Sequence, residues 1–167
     1  MALRTIIYLS DERLRKPTQP ITVFDDPLQT LIDDMYETMY HAPGIGLAAT
    51  QIGLSLKLAV IDVSEEHNQR ICIINPEIIS REGTALPGEG CLSVPGVFDK
   101  VARALKVTVR ALDRHGKPFE LKADGLLAHC LQHEIDHLNG KIFIDYLSPL
   151  KRGMAKKKFE KFIRHEK

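Results

Sequence analysis

Apolar residues recur at helical spacing in a stretch that begins at Asp26-Pro27. Asp26 is the expected N-cap and Pro27 the first helical residue. The helix is expected to end near His41-Ala42-Pro43, because the residue before a proline avoids the helical conformation. The apolar positions predict a face buried in the core, formed by Leu28, Leu31, Ile32, Met35 and Met39. Residues 11–15 predict one earlier helical turn, which ends before Pro17.

Runs of apolar and β-branched residues separated by turns follow this helix. The predicted strands are Leu56–Val63, Arg70–Ile74, Glu77–Arg81, Leu105–Leu112 and Pro118–Lys122. The last two strands flank Asp113–Lys117, which predicts a hairpin turn. Strands joined by turns alone favour antiparallel pairing over βαβ units. Together with the helices, this order predicts an α+β fold.

A second apolar helix is predicted from about Gly125 to Leu138, and it contains the sequence QHEIDH. His133 and His137 are four residues apart, so they leave one face of the helix together and can bind the same metal ion. Glu134 can act as a base on a water bound to that ion, because the metal lowers the pKa of the water to about 7. The pattern predicts a hydrolytic metal site, and an amphipathic helix with surface or core histidines is the alternative.

A catalytic metal normally has three protein ligands and a position for water, so a third ligand is needed. Cys91 stands in Pro87–Pro95, a segment rich in glycine and proline, and is expected on a turn rather than in a core strand. Its thiolate would be a strong ligand for iron(II), zinc, cobalt or nickel. By contrast, Cys72 and Cys130 are expected to be small buried residues.

The other histidines are not expected to bind the metal. His129 begins an i, i+4, i+8 series with His133 and His137, which spans about 12 Å along a straight helix and cannot converge on one ion. His129 is therefore expected to line the cleft near the metal. Four histidines in turns, loops or the C-terminal end are predicted to be solvated, namely His41, His67, His115 and His165.

Small residues dominate Gly44–Gly53, where three glycines and two alanines are interleaved with aliphatic residues. This composition allows the backbone to approach a neighbouring strand or a ligand closely. It is not a dinucleotide fingerprint, because a helix and a proline precede the stretch and a strand follows it. Gln51 carries two N–H donors and is a candidate for polarising a carbonyl group, with a structural amide as the alternative.

The composition adds constraints on domain number and compartment. A chain of 167 residues with 44% hydrophobic and 27% charged residues fits one catalytic domain, residues 1–167. The net charge of +1 does not indicate nucleic-acid binding through bulk charge. Three widely spaced cysteines, with no leader and no apolar run of about 20 residues, predict a soluble cytoplasmic protein without disulfides or membrane contact.

Three motifs together resemble the signature motifs of the peptide deformylase family, in their order and approximate spacing. They are GIGLAATQ at Gly44–Gln51, EGCLS at Glu89–Ser93 and QHEIDH at Gln132–His137. The likeness extends from Asp11–Arg15 to Phe143–Ser148, so it covers nearly the whole chain. It is to the bacterial type with a helical C-terminus, which implies antiparallel sheets packed around the metal-binding helix, with further helices at both ends.

The resemblance also implies the chemistry. Cys91, His133 and His137 would bind one divalent metal with water as the fourth ligand; iron(II) is the usual ion, and zinc, nickel or cobalt can replace it. Glu134 would be the general acid/base and the metal-bound water the nucleophile. The oxyanion would be held by two N–H donors, the side chain of Gln51 and the backbone of Leu92. The implied reaction removes the N-formyl group from the formylmethionine of a newly made polypeptide and releases formate.

The implied substrate binds as an added strand along the glycine-rich segment, and its methionine side chain enters an apolar pocket. The pocket residues implied here are Gly44, Ile45, Gly46, Glu89, Gly90, Leu126, His129 and Cys130, with Leu92 and His133 beside them. His129 stands where family members often carry an aliphatic residue, so it is expected to narrow or polarise the pocket. The implied protein is a monomer.

The last 17 residues are basic, with eight Lys or Arg against two Glu from Lys151 to Lys167. Such a run is commonly the solvated face of a terminal helix, here expected over residues 149–167. In a protein that resembles a deformylase, it also predicts docking on ribosomal RNA with a salt-sensitive affinity.

Two other functions fit parts of the pattern. A metallopeptidase would use the same histidines and glutamate, but it commonly takes its third ligand from a downstream Glu or His, and only Leu138-Asn139-Gly140 follows here. A ribosome-associated binding protein with a structural metal needs a closed site of four ligands, and the sequence offers no obvious fourth. It also leaves Glu134 and Gln51 without a role.

Overall fold

The computed structural model describes residues 2–166 of the chain. Its first long helix, α1, spans Asp26–His41 and ends where the sequence predicts. The N-cap is Asp25 and not Asp26, because the Asp25 carboxylate accepts a hydrogen bond from the backbone N–H of Leu28 at 3.1 Å. Neighbouring aspartates offer the same capping chemistry, so only the backbone path distinguishes them. The predicted turn near residue 12 is a 3₁₀ turn over Glu12–Arg15.

Five strands form one antiparallel sheet with the order β1-β2-β3-β6-β7. These strands are β1 Gly46–Ala48, β2 Leu58–Ile61, β3 Ile71–Glu82, β6 Lys106–Leu112 and β7 Pro118–Asp124. Two further strands, β4 Gly88–Cys91 and β5 Val94–Lys100, pair as a separate hairpin. The antiparallel α+β architecture is therefore confirmed. The sequence did not predict β1, β4 or β5, because glycine and proline in these segments conceal the strand periodicity.

β3 corrects the prediction of two strands interrupted at Asn75-Pro76. The strand runs through this dipeptide because a register shift between Ile74 and Glu77 removes the need for a donor at Pro76. Asn75 has a positive φ of 51° at this point. Its side-chain amide accepts from the N–H of Ile21 and donates to the carbonyl of Ile21, at 2.8 and 2.9 Å.

The helix α2, Gly125–Leu138, has the predicted bounds and packs on one face of the sheet. Successive residues of β2 point to opposite faces, so Leu58 and Val60 pack with α1 whereas Ala59 and Ile61 pack with α2. All four of these residues are buried, which explains why β2 is a continuous apolar run. The helices and the sheet thus place β1, the edge strand next to β2, beside α2.

The C-terminal helix α3 spans Pro149–Glu166 and packs against the β4–β5 hairpin. Ala155 and Phe159 are buried in a third apolar cluster with Val94, Val97 and other residues. The aromatic ring of Phe162 lies against Gly96, whose φ is +83°. The apolar face of this basic helix therefore packs against the rest of the domain. Across residues 2–166, no helix is both long enough and apolar enough to cross a membrane.

We predict that two substitutions of Asn75 separate the contribution of its side-chain hydrogen bonds to stability from that of its backbone conformation. Asn75→Gly removes the two hydrogen bonds to Ile21 and should lower the free energy of unfolding by about 1–2 kcal/mol. Asn75→Ala should cost about 1 kcal/mol more, because alanine resists a positive φ. Urea unfolding of both variants would measure the difference. Equal losses in the two variants would show that the backbone conformation at position 75 contributes nothing.

Candidate active site

One face of α2 carries the three polar residues of the H-E-x-x-H sequence. His133, Glu134 and His137 are nearly enclosed by protein, with Glu134 3% and His137 1% exposed. Burial, together with the nearby His133 and Arg103, lowers the pKa of His137 well below 6.5. A neutral imidazole is the form that binds a metal.

Cys91 meets the two histidines from the opposite wall. Its Sγ lies 3.3 Å from Nε2 of His137, which in turn lies 3.2 Å from Nε2 of His133. The three ligand atoms all lie within 4.8 Å of one another. Ligands held tetrahedrally around one transition-metal ion are separated by roughly 3.5 Å, so the observed spacing fits such an ion. One thiolate with two imidazoles is also a donor set suited to iron(II), zinc, cobalt or nickel.

Cys91 was expected on a turn, and the structure places it one residue before the turn, as the last residue of β4. Two N–H groups point at its sulfur, the backbone N–H of Ser93 in the hairpin turn at 3.4 Å and the side-chain N–H of Gln51, from the turn after β1, at 3.6 Å. Such donors stabilise negative charge on sulfur. The other cysteines are half-buried or buried, and burial raises the pKa of Cys72 to about 12 and that of Cys130 well above 9.0.

Glu89 holds His133 in position. Its Oε1 lies 2.8 Å from Nδ1 of His133, which directs Nε2 towards the other ligands. The same carboxylate forms a two-pronged ion pair with Arg103, at 2.6 and 2.8 Å. Burial alone would raise the pKa of Glu89, but the hydrogen bonds from Arg103 and His133 outweigh it and lower the pKa to about 2. Glu89 borders the cleft, yet its carboxylate is already committed to these two partners.

Arg103 is a buried residue beside the site that the sequence did not reveal. Its side chain is 4% exposed and also pairs with Asp136 at 2.6 Å, and Asp136 accepts a hydrogen bond from the Tyr146 hydroxyl at 2.9 Å. The guanidinium therefore joins the β4–β5 hairpin to α2. No local pattern predicts this contact, because Arg103 is 14 residues from Glu89 and 33 from Asp136.

Glu134 lies against the backbone of β1. A Cβ atom at Gly46 would come within 2.5 Å of Oε2 of Glu134 and 2.9 Å of the Cys130 sulfur, so only glycine fits there. Burial raises the pKa of Glu134 to about 7, although the neighbouring His133 opposes this shift. A carboxyl group with a pKa near neutrality suits proton transfer.

Gln51 and Leu92 flank the Cys91 ligand. The Gln51 side chain accepts from the N–H of Ala48 at 2.9 Å and donates to the Ser93 hydroxyl at 3.2 Å, so its amide orientation is well defined. Leu92 lies in the turn after Cys91, and its side chain packs so closely on Gly44 that a Cβ atom there would meet it at 2.8 Å.

These residues border one cleft of about 830 Å³. It is lined by every residue predicted for the substrate pocket, which are Gly44, Ile45, Gly46, Glu89, Gly90, Leu126, His129 and Cys130. Gln51, Cys91, Leu92, His133 and Glu134 line it as well, whereas His137 lies behind its wall. His129 lines the cleft as expected, and the four histidines predicted to be solvated are exposed.

A helix with two histidines spaced to hold a metal and an adjacent buried glutamate, facing a thiol in an open cleft, is the arrangement typical of a mononuclear metallohydrolase. Comparison with known proteins then identifies the family. The family model for polypeptide deformylase matches residues 3–153. The chain belongs to the polypeptide deformylase family, and it is therefore an enzyme of the hydrolase class.

Individual relatives agree with this assignment. Peptide deformylase of Chromobacterium violaceum is 56% identical over 161 residues, which cover 96% of each chain. Peptide deformylase 2 of Xanthomonas campestris is 55% identical and covers 99% of both chains. The crystal structure of a peptide deformylase from Legionella pneumophila superposes with a TM-score of 0.96 at 61% identity, covering 99% of this chain and 98% of the other.

We predict that Glu89→Gln weakens metal binding about 10- to 100-fold, because it removes the carboxylate that orients His133. Competition with a chelator for zinc would measure the affinity. Glu120→Gln is the matched control, because Glu120 forms an exposed ion pair with Arg110 on the far edge of the sheet. Unchanged zinc affinity in the Glu89→Gln variant would contradict a positioning role for this residue.

Proposed function

We propose that this enzyme hydrolyses the N-formyl group of formylmethionine at the start of newly made polypeptides. Membership of the polypeptide deformylase family supports the reaction class. The observation that carries the proposal is the convergence of Cys91, His133 and His137 beside the buried Glu134, in a cleft bordered by an edge strand. Residues 1–167 act in this proposal as one catalytic domain.

Cys91, His133 and His137 would hold one divalent ion, which supplies a water of lowered pKa and polarises a carbonyl oxygen. Glu134 accepts a proton from the attacking water and delivers it to the amide nitrogen as the C–N bond breaks. The products are formate and a free amino terminus. The enclosed position of Glu134 and its pKa of about 7 support both proton transfers.

Negative charge develops on the formyl oxygen when water adds to the carbonyl carbon. Gln51 has two side-chain N–H groups. One donates to the Ser93 hydroxyl at 3.2 Å, and the other, whose contact with the Cys91 sulfur is long at 3.6 Å, would donate to this oxygen. The backbone N–H of Leu92, next to the metal ligand, is the second donor in this proposal. Loss of one such donor typically slows a reaction by about 100- to 1000-fold.

The peptide chain of the substrate binds along β1. This strand pairs with β2 on one side only, so its other edge faces the cleft and can form main-chain hydrogen bonds with an added strand. Main-chain recognition is tolerant of downstream sequence. The first side chain then enters the pocket beside Ile45 and Leu126.

Iron(II) is the metal we propose, with zinc, nickel or cobalt able to occupy the same ligands. The enzyme would act as a monomer in the cytoplasm. Because thiolate-bound iron(II) is sensitive to oxygen, activity lost in air and restored by cobalt or nickel would support iron. Activity that is stable in air would exclude it as the working metal.

We predict rapid formate release from a formyl-Met peptide by protein purified without oxygen. Glu134→Ala should lower the rate by about 100- to 10,000-fold through loss of proton transfer, with the bound metal retained. Cys91→Ser should lower both the rate and the metal content. Formate detection and metal analysis would separate these two effects.

Matched controls for this experiment are Glu120→Ala and Cys72→Ala, which lie outside the cleft. Both should keep the rate and the metal content of the unmodified enzyme. No formate from the metal-loaded enzyme would reject the proposal and favour a peptidase, which would instead cleave an internal bond of the same peptide. A structural metal protein would show neither reaction.

We also propose that α3 binds ribosomal RNA through its exposed basic face. Lys156, Lys157 and Lys158 are exposed on this helix, whereas Ala155 and Phe159 are buried against the domain. Contacts between lysines and phosphates would make the affinity fall steeply as salt rises.

Changing the three exposed lysines of α3 to glutamine should therefore reduce co-sedimentation with ribosomes at low salt and flatten its salt dependence. These substitutions leave the buried face of the helix intact, unlike deletion of residues 151–167. A matched control replaces three exposed lysines of the β6–β7 hairpin, Lys106, Lys117 and Lys122. Equal binding by both triple variants would exclude α3 as the docking surface.

A further inference from the structure

His129 lies on the face of α2 that lines the cleft, one helical turn before the metal ligand His133. One turn corresponds to about 5.4 Å along the axis. In the proposed function, the formyl group reacts at the metal, and the first side chain of the peptide branches from the Cα atom, which is two bonds from the formyl carbon. That side chain is therefore close enough to reach His129.

The Nε2 atom of His129 is buried and has no hydrogen-bond partner within the described part of the chain. Roughly nine in ten buried polar atoms in proteins have such a partner. Oε1 of Glu134 is also buried and has no partner among residues 2–166, and it belongs to the group to which we assign proton transfer. Within the described residues, α2 thus carries unpaired buried polar atoms at Glu134 and His137, beside the reaction centre, and at His129, which lies nearer the start of the helix.

The neighbours of His129 cannot perform the same role. The side chains of Leu126 and Ile45 offer only apolar atoms. The Cys130 thiol already points at the backbone carbonyl of Ile45, at 3.7 Å. The backbone of Gly46 also packs on the Cys130 sulfur. The imidazole of His129 is consequently the polar group in this part of the pocket with which a substrate side chain can form a hydrogen bond.

We propose that Nε2 of His129 forms a hydrogen bond with the end of the first side chain, so that this enzyme deformylates peptides beginning with methionine sulfoxide as well as methionine. This inference rests on the proposed function. A thioether sulfur is a weak acceptor, whereas oxidation to the sulfoxide adds a strongly accepting oxygen at the same position. An aliphatic wall could not pair with that oxygen, and burying it unpaired would oppose binding.

The test compares four formylated peptides that differ only in the first residue: methionine, norleucine, methionine sulfoxide and glutamine. Norleucine is the apolar reference, and glutamine can both donate and accept, so it pairs with either tautomer of the imidazole. The values of kcat/KM are measured for the metal-loaded enzyme and for His129→Leu and His129→Gln. His115→Leu is the matched control, because His115 is exposed in the β6–β7 turn.

For each peptide, the relevant ratio is its kcat/KM divided by that of the norleucine peptide. His129→Leu should lower this ratio about fivefold for the methionine sulfoxide peptide and for the glutamine peptide, as expected for loss of one hydrogen bond. The loss should appear in KM, because this contact is equal in the ground state and the transition state. His129→Gln should retain at least half of each ratio, and His115→Leu all of it. Each ratio is independent of the fraction of folded enzyme, so partial misfolding cannot imitate the result.

Unchanged ratios in His129→Leu would overturn the inference, and so would equal losses in His129→Leu and His129→Gln. Formate release from the formyl-Met peptide distinguishes this failure from failure of the proposed function. If that peptide is hydrolysed but the ratios do not respond to position 129, only the role of His129 is rejected. If the unmodified enzyme releases no formate from any peptide, both proposals are rejected.

Discussion

The site depends on a buried arginine between two carboxylates. Arg103 pairs with Glu89 on the β4–β5 hairpin and with Asp136 on α2, and its side chain is 4% exposed. A charge buried to this extent is costly unless it is paired, so loss of either carboxylate would leave an uncompensated charge between the hairpin and the helix. Because Glu89 also binds His133, the same ion pair orients a metal ligand. It therefore links the stability of the fold to the geometry of the candidate metal centre.

Close backbone approach is the second constraint on the site. Gly46 lets β1 lie directly on Glu134, and Gly44 leaves room for the side chain of Leu92. With larger residues at these positions, the edge strand would move away from α2, and the cleft would lose the wall along which a peptide can add. Burial of Glu134, to which this backbone contributes, also raises its pKa towards neutrality. The small residues thus have an electrostatic as well as a steric effect.

Local patterns predicted much of the fold correctly. The bounds of α2 and the end of α1 follow from apolar periodicity and helix-terminating residues, which act within a few positions of the chain. The predictions failed where distant contacts compensate for an unfavourable residue. At Asn75-Pro76 a register shift and hydrogen bonds to Ile21 carry β3 through a proline, and the hairpin around Cys91 is stabilised by packing against α3.

The sequence by itself determined the candidate ligands and the base, because four-residue spacing on a helix places His133 and His137 on one face with Glu134 beside them. It also limited the third ligand to a cysteine in a segment of unusual composition. Only the tertiary structure decided that Cys91 reaches these histidines and that Arg103, through Glu89, supports the orientation of His133. It also decided that one nitrogen of His129 is unpaired among the described residues. These relations depend on distances between residues that are remote in the chain, and such distances exist only after packing has brought the elements together.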